Sequence, residues 1–129
     1  MLRPVATDDD RFYFDGWQQS RLLVQHCRGC EAVRHPPSPS CPSCGDAGWD
    51  AVEVSGRGVV YSYVIPRKPS LRGLLPSPIV ALVDLSEGVR VLSNLVGIEP
   101  AEVSFGLAVQ LEFLTVEDGF RLPVFRPAR

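Results

Sequence analysis

The sequence predicts a mainly β protein built from an N-terminal helical arm, a four-cysteine ribbon and a C-terminal five-stranded barrel. Three observations carry that expectation. Two Cys-x-x-Cys pairs, Cys27-Arg28-Gly29-Cys30 and Cys41-Pro42-Ser43-Cys44, use all four cysteines and are separated by ten residues. From Trp49 onward, apolar side chains recur with period two between glycine and proline punctuation. Helical signals are concentrated in the acidic run Asp8-Asp9-Asp10 and the aromatic stretch after it.

The arm comes first. Thr7 or Asp8 can cap a helix from about Asp8 to Ser20, because carboxylates in the first turn complement the positive end of the helix dipole. Tyr13 and Trp17 then share one face, with Phe12 and Phe14 beside them. Packing on its own domain is one role for that face. Anchoring a partner is the other, since a helix before a small ribbon has little core of its own to cover.

Leu22 to Gln25 reads as a short strand leading into the first knuckle. Two Cys-x-x-Cys knuckles supply a tetrahedron of soft ligands, which suits Zn2+ held by Cys27, Cys30, Cys41 and Cys44; iron shares that ligand preference and is the alternative. A redox pair opening a helix is disfavoured by Pro36, Pro37, Pro39 and Pro42, and the acidic start lacks the charge and apolar run of a secretion signal that would favour disulfides. Four thiolates leave no open position for water or substrate, so the metal is structural. His26 and His35 are expected to be exposed neighbours. Gly45 follows the second knuckle, whereas Glu31 stands in the equivalent place after the first.

The barrel follows. Val52 to Val54 leads to Gly56-Arg57-Gly58, after which Val59, Tyr61, Tyr63 and Ile65 alternate with Val60, Ser62 and Val64. Ile79 to Leu85 and Val89 to Val96 form a hairpin about Glu87-Gly88, Pro100 to Phe105 can make one helical turn, and Val109, Leu111 and Phe113 line one face of the next strand. Asp118-Gly119 turns into the last strand, Phe120 to Phe125. Five antiparallel strands with a short helix between the third and fourth match a small barrel of the oligonucleotide/oligosaccharide-binding (OB) type. The domain expectation is therefore 1–21 arm, 22–50 ribbon and 51–129 barrel.

Composition sets the outer bounds. At 129 residues and 45% hydrophobic, the chain can bury one modest core, with the metal holding a second lobe too short to fold alone. No apolar run approaches the roughly 20 residues of a membrane helix, so a soluble, cytoplasmic protein without membrane contact is expected. A net charge of -2 argues against a broad polyanion-binding surface. Tyr61, Tyr63 and Phe113 are candidate base-stacking residues, but a single-stranded nucleic-acid binder, the alternative function, needs a positive groove and the basic residues here are scattered. No Ser/His/Asp or Cys/His set is visible, and Asp84 and Glu87 read as solvated turn residues, so catalysis by this chain is not expected. The long proline-interrupted segment from Pro66 to Pro78 carries Arg67, Lys68 and Arg72, side chains suited to phosphate oxygens, together with Leu71, Leu74 and Leu75.

Over nearly its whole length the chain resembles the DUF35 family. The matching stretches are Phe12-Tyr13-Phe14-Asp15-Gly16-Trp17, Arg21 to Cys27, the paired knuckles with His35-Pro36-Pro37 between them, Val54 to Tyr63, Ser93 to Gly97, and Leu122 to Phe125. The resemblance implies a helical arm, a rubredoxin-like zinc ribbon and an OB-fold. It further implies an accessory subunit that binds a thiolase-fold enzyme (thiolase, sterol-carrier-type thiolase or aldolase) or a hydratase, and helps to form its channel for a CoA thioester. Coenzyme A would then meet Arg67, Lys68 and Arg72. The partner would meet Phe12, Tyr13, Phe14, Trp17, Leu74, Leu75 and Phe125.

Overall fold

The computed structural model describes residues 7–65 and 77–128. The acidic run forms a turn rather than helix: the Asp10 carboxylate accepts from the Thr7 amide at 2.6 Å and from its hydroxyl at 3.0 Å, and is thereby spent on the turn itself. Helix α1, Arg11–Gln18, therefore begins three residues later than the charge pattern suggests, with Asp10 as N-cap. It ends where the Gly16 carbonyl takes the amides of Gln19 and Arg21, and Ser20 turns back at a φ of 56°. Gly16 is there because α1 crosses close to the next strand; a Cβ on it would meet the Arg21 carbonyl oxygen at 2.8 Å and Leu23 Cδ1 at 3.1 Å.

Strands β1 (Leu23–Cys27), β2 (Val33–Arg34) and β3 (Trp49–Glu53) form an antiparallel sheet in the order β2-β1-β3. The strand expected from Val52 to open the barrel belongs to this ribbon sheet: β3 pairs with β1 from Leu23↔Glu53 to Cys27↔Trp49, and the Val54 amide continues the ladder to Leu22 O at 3.0 Å. Buried β1 needs a partner on both edges, and β2 supplies only two residues. Gln25, 1% exposed, is satisfied by accepting the Ser38 amide at 2.9 Å, which ties the proline-rich connection to the sheet.

Strands β4 (Arg57–Val64), β5 (Ile79–Leu85), β6 (Arg90–Leu95), β7 (Ala108–Thr115) and β8 (Arg121–Pro127) close into a barrel in the order β4-β5-β6-β8-β7, with β7 pairing back to β4. A short 3-10 turn, Pro100–Glu102, precedes β7. Chain direction makes β6 and β8 the parallel pair, joined at Leu95↔Phe125. β5 buries every second residue from Ile79 to Leu85 and β6 buries Val91, Ser93 and Leu95, as half-buried strands should. β4 departs from strict alternation. A register shift between Val60 and Ser62 lets Val60 and then Tyr63 face inward while Val59, Tyr61 and Val64 face out.

The arm joins the two units. Phe12 packs on Trp49 and Tyr13 on His35 in the ribbon, both at 4.7 Å between ring centroids, while Trp17 meets Phe120 of the barrel at 6.3 Å. The Gln18 side-chain amide pairs with the Arg121 backbone in both directions at 3.0 Å, acting as one extra residue of sheet along β8. One buried apolar cluster consequently runs from Tyr13, Leu22 and Val24 into the barrel core at Val83, Leu95 and Phe125. No helix among the described residues is long and apolar enough to cross a membrane.

Candidate metal centre

Each knuckle is the same backbone device used twice. The Cys27 carbonyl accepts the Glu31 amide at 2.9 Å and its amide donates to Ala32 O at 2.8 Å; the Cys41 carbonyl accepts the Gly45 amide at 2.8 Å and its amide donates to Asp46 O at 2.8 Å. These turns carry the second cysteine of each pair back beneath the first. All four sulfurs lie within 4.8 Å of one another, with Cys27 to Cys44 at 3.5 Å and Cys30 to Cys41 at 3.6 Å. Those spacings are too long for disulfides, whose S–S bond is about 2.05 Å. They fit the edges of a tetrahedron, about 3.8 Å for four sulfurs each about 2.3 Å from a central ion.

The electrostatics suit a cation. Cys27 and Cys41 are buried, Cys30 and Cys44 face outward. Amides of Cys30 and Gly29 lower the Cys27 thiol, and those of Cys44 and Ser43 hold Cys41 down to about 6. The second cysteine of each pair goes the other way. An amide from Asp46 lowers Cys44, but crowding by Cys27, Cys30 and Cys41 outweighs it and pushes the thiol up to about 12; Cys30 is likewise raised, its crowding by Cys41 outweighing the Ala32 amide. Four sulfurs this close cannot all ionise without a positive charge between them, and a divalent ion supplies it. The donor set therefore fits a metal ion.

Gly45 sits at a φ of 81°, where glycine is at ease, and Glu31 takes the equivalent place at 65°, where a side chain strains against its carbonyl. Replacing Glu31 by glycine is expected to stabilise the ribbon by roughly 0.5 to 1 kcal/mol, the relieved strain exceeding the added entropy of the unfolded chain. A higher midpoint in thermal or denaturant unfolding of the metal-loaded protein checks this.

The other residues singled out by sequence fall in three places. Arg67, Lys68, Arg72, Leu71, Leu74 and Leu75 lie outside the described residues. Tyr13, 7% exposed, and Phe125, completely buried, are used inside the chain and have no surface to offer a partner. Phe12, Phe14 and Trp17 are half-buried, packed on the ribbon, on one another or on the barrel. His35 is not an exposed neighbour. It stacks on Tyr13, and burial lowers its pKa. Of the three candidate base-stacking residues, Tyr63 turns inward and donates its hydroxyl to Val103 O at 3.1 Å, Phe113 packs against the core, and the ring of Tyr61 is covered by the Arg90 guanidinium at 3.4 Å.

Pattern reading missed one feature of the surface. The outer face of β4–β5–β6 places Val59, Asp84 and Arg90 in one row, Ser62, Leu82 and Leu92 in the next, and Val64, Val80 and Asn94 in a third. Val64 and Leu92 are 62% and 67% exposed there, and Tyr61 is half exposed. The signal was present in the sequence as Val59, Tyr61, Val64 and Leu92, apolar side chains at outward positions beside the charged pair Asp84 and Arg90.

The family comparisons agree with this architecture. Residues 14–50 match the model for the ChsH2 rubredoxin-like zinc ribbon domain, and residues 51–114 match that for the ChsH2 C-terminal OB-fold domain. A probable enoyl-CoA hydratase alpha subunit from Thermomonospora curvata is 44% identical over 126 residues, 98% of this chain and 40% of that protein; the chain thus spans about two fifths of this relative's length. A DUF35 domain-containing scaffold protein from Pyrococcus furiosus is 37% identical over 96 residues, 73% of this chain and 69% of that one. A solved structure described as Ltp2-ChsH2(DUF35) aldolase contains a chain that superposes with a TM-score of 0.87 at 44% identity, covering 98% of this chain and 100% of that one. With the paired four-cysteine knuckles and the closed five-stranded barrel, these matches establish that the chain belongs to the DUF35 family, in its ChsH2-type pairing of rubredoxin-like zinc ribbon and OB-fold.

Proposed function

We propose that this chain is a non-catalytic accessory subunit of an acyl-CoA enzyme, holding a structural zinc through Cys27, Cys30, Cys41 and Cys44. The observation that carries the reading is the likeness, over the whole of that chain, to one from a structure described as an aldolase with ChsH2(DUF35). A relative named as a hydratase alpha subunit gives a second acyl-CoA context for the same pair of domains. The residues support a binding role. Four thiolates around one ion leave no coordination position for substrate, and both histidines lie in the ribbon.

In this reading the partner is a thiolase-fold enzyme, aldolase or hydratase, and the chain helps to form the channel that admits the CoA thioester. Its contact is assigned to the outer face around Tyr61, Val64 and Leu92, with the half-buried rings of Phe12, Phe14 and Trp17 as a second patch. Buried aromatic and aliphatic anchors of this kind carry most of the free energy of an interface. Arg67, Lys68 and Arg72 are assigned to the CoA phosphates.

Co-expression with a thiolase-fold enzyme, aldolase or hydratase encoded in the same genome tests the proposal. A stable complex is expected, together with at least a tenfold loss of the enzyme's rate when this chain is left out. Val64→Asp with Leu92→Asp should prevent co-purification while bound zinc and the circular dichroism stay unchanged. Trp17→Ala is a less clean probe, because Trp17 also packs on Phe120. A chain that remains alone, and leaves the enzyme's rate unaltered when added, sinks the accessory reading.

A further inference from the structure

The arm, the ribbon and the barrel meet around His35. Its ring stacks on Tyr13 of α1 at 4.7 Å between centroids, and Phe12 packs on Trp49 at the same distance. On the barrel side it borders a cleft shared with Arg34, Asp84 and Arg90. Nδ1 of His35 is buried without a hydrogen-bond partner. A neutral ring tolerates that as an unused lone pair, whereas a protonated ring would place there a buried N–H donor with no acceptor. The new charge would also lie next to the buried guanidinium of Arg34, whose Nε and Nη1 have no partner either. Among the described residues that face His35, none offers relief. Tyr13 is a neutral phenol whose burial pushes its pKa up to about 12. Across the cleft Asp84 is taken by Arg90, through Nε at 2.6 Å and Nη2 at 3.3 Å, and Glu87 of the same hairpin accepts the Ser55 amide at 2.8 Å.

We infer that His35 is a pH-sensitive latch on the arm: neutral, it holds the first turn of α1 against the ribbon, and protonated, it releases that turn. The far end of α1 is anchored by other means. Gln18 pairs with the Arg121 backbone at 3.0 Å in both directions and Trp17 meets Phe120, and neither contact involves a group that titrates between about pH 5 and 8. The helix therefore stays on the barrel while Phe12 and Tyr13 lift from Trp49 and His35. An unfolded histidine titrates near about 6.5, and burial lowers the pKa of His35 in the docked state. The hold is accordingly complete above about pH 6.5 and is lost as the pH falls through the docked-state value. The latch belongs to the chain itself and needs no partner.

The test follows the nuclear Overhauser contacts between the rings of Phe12 and Trp49 in the zinc-loaded full chain from about pH 7.5 to about pH 5, together with the His35 Cε1–H shift and the bound zinc. Phe12 and Trp49 are the reporters because neither ring titrates. A His35 midpoint below about 6.5 is expected, with loss of the Phe12–Trp49 and Tyr13–His35 contacts at that same midpoint and no movement of the Arg121 amide. His35→Phe, which keeps a ring on Tyr13 and cannot take a proton, should hold the Phe12–Trp49 contact over the whole range. His26→Gln removes the other histidine and should leave the transition where it is. If His35→Phe fails to fold, the coincidence of the two midpoints in the wild-type chain decides the matter. A Phe12–Trp49 contact that survives protonation of His35, that disappears at another midpoint or only as zinc leaves, or that is lost equally in His35→Phe would overturn the latch, as would a His35 that stays neutral throughout. None of these results bears on co-purification with an acyl-CoA enzyme, so the two proposals fail separately.

Discussion

Replacing Cys41 with serine should release the metal and unfold the ribbon while leaving most of the barrel folded. The ribbon sheet has a two-residue edge strand, and its buried apolar side chains reduce to Leu22, Leu23, Val24 and the cysteines Cys27 and Cys41. That is too little burial to offset the ordering of some thirty residues, at about 1 to 2 kcal/mol each for the backbone alone. A bound structural ion contributes on the order of 10 kcal/mol in such lobes, so its loss decides the outcome. Cys41 is also the hub of the second knuckle, 3% exposed, and a serine oxygen is a harder ligand than the thiolate it replaces. The stacking of Phe12 on Trp49 and of Tyr13 on His35 would go with the ribbon, whereas Gln18 keeps its bonds to Arg121 on the barrel side. Metal analysis should fall from about one zinc per chain to none, with amides of residues 27–48 collapsing to unfolded positions. A metal-free variant with wild-type dispersion for those amides would remove the basis of the assignment.

Much of this architecture was legible because local chemistry and global fold agree. Cysteine spacing brings the four ligands together on paired turns, and the ladders of β5, β6 and β7 follow their alternation. What escaped the sequence was decided by contacts distant in the chain. The bulge in β4 puts Val60 and Tyr63, three positions apart, on the inner face and turns Val64 outward, and the pattern holds no mark of an inserted residue. β3 joins the ribbon because β1 is the buried central strand and β2 pairs with its other edge, leaving this one to β3. The bonds of Gln18 to Arg121, 103 positions away, have no local signal. His35 read as an exposed neighbour of the knuckles, and Arg34 carried no signal at all. Their burial follows from the arm and the barrel closing over them.

Phe125 gives the clearest case of a side chain whose role the fold reassigns, and truncating it should be the most damaging change in the barrel. The run Leu122-Pro123-Val124-Phe125 is apolar at every position, unlike the alternation of β5. Its location explains this: β8 lies between β6 and β7 and also carries α1, and a strand covered on both faces reads as a continuous apolar run. Phe125 sits opposite Leu95 and Leu111, and its carbonyl accepts the Val96 amide at 2.9 Å, so it occupies the seam that closes the barrel. Phe125→Ala should cost about 3 to 5 kcal/mol through lost burial and the cavity left behind. Against a total stability of about 5 to 15 kcal/mol, that is a large share, equivalent to a fall in Tm of roughly 10 to 20 °C. Zinc should stay bound, because no ligand lies in the barrel and the β2-β1-β3 sheet has its own ladder. Leu92→Ala, on the exposed outer face, should by contrast shift Tm by about 2 °C or less, in keeping with a surface change within about 0.5 kcal/mol. Calorimetry on the two variants separates the core from the exposed outer face. Equal Tm values for Phe125→Ala and wild type would contradict the packing of β8, and a large loss for Leu92→Ala would mean that its face is not the open surface assigned to a partner.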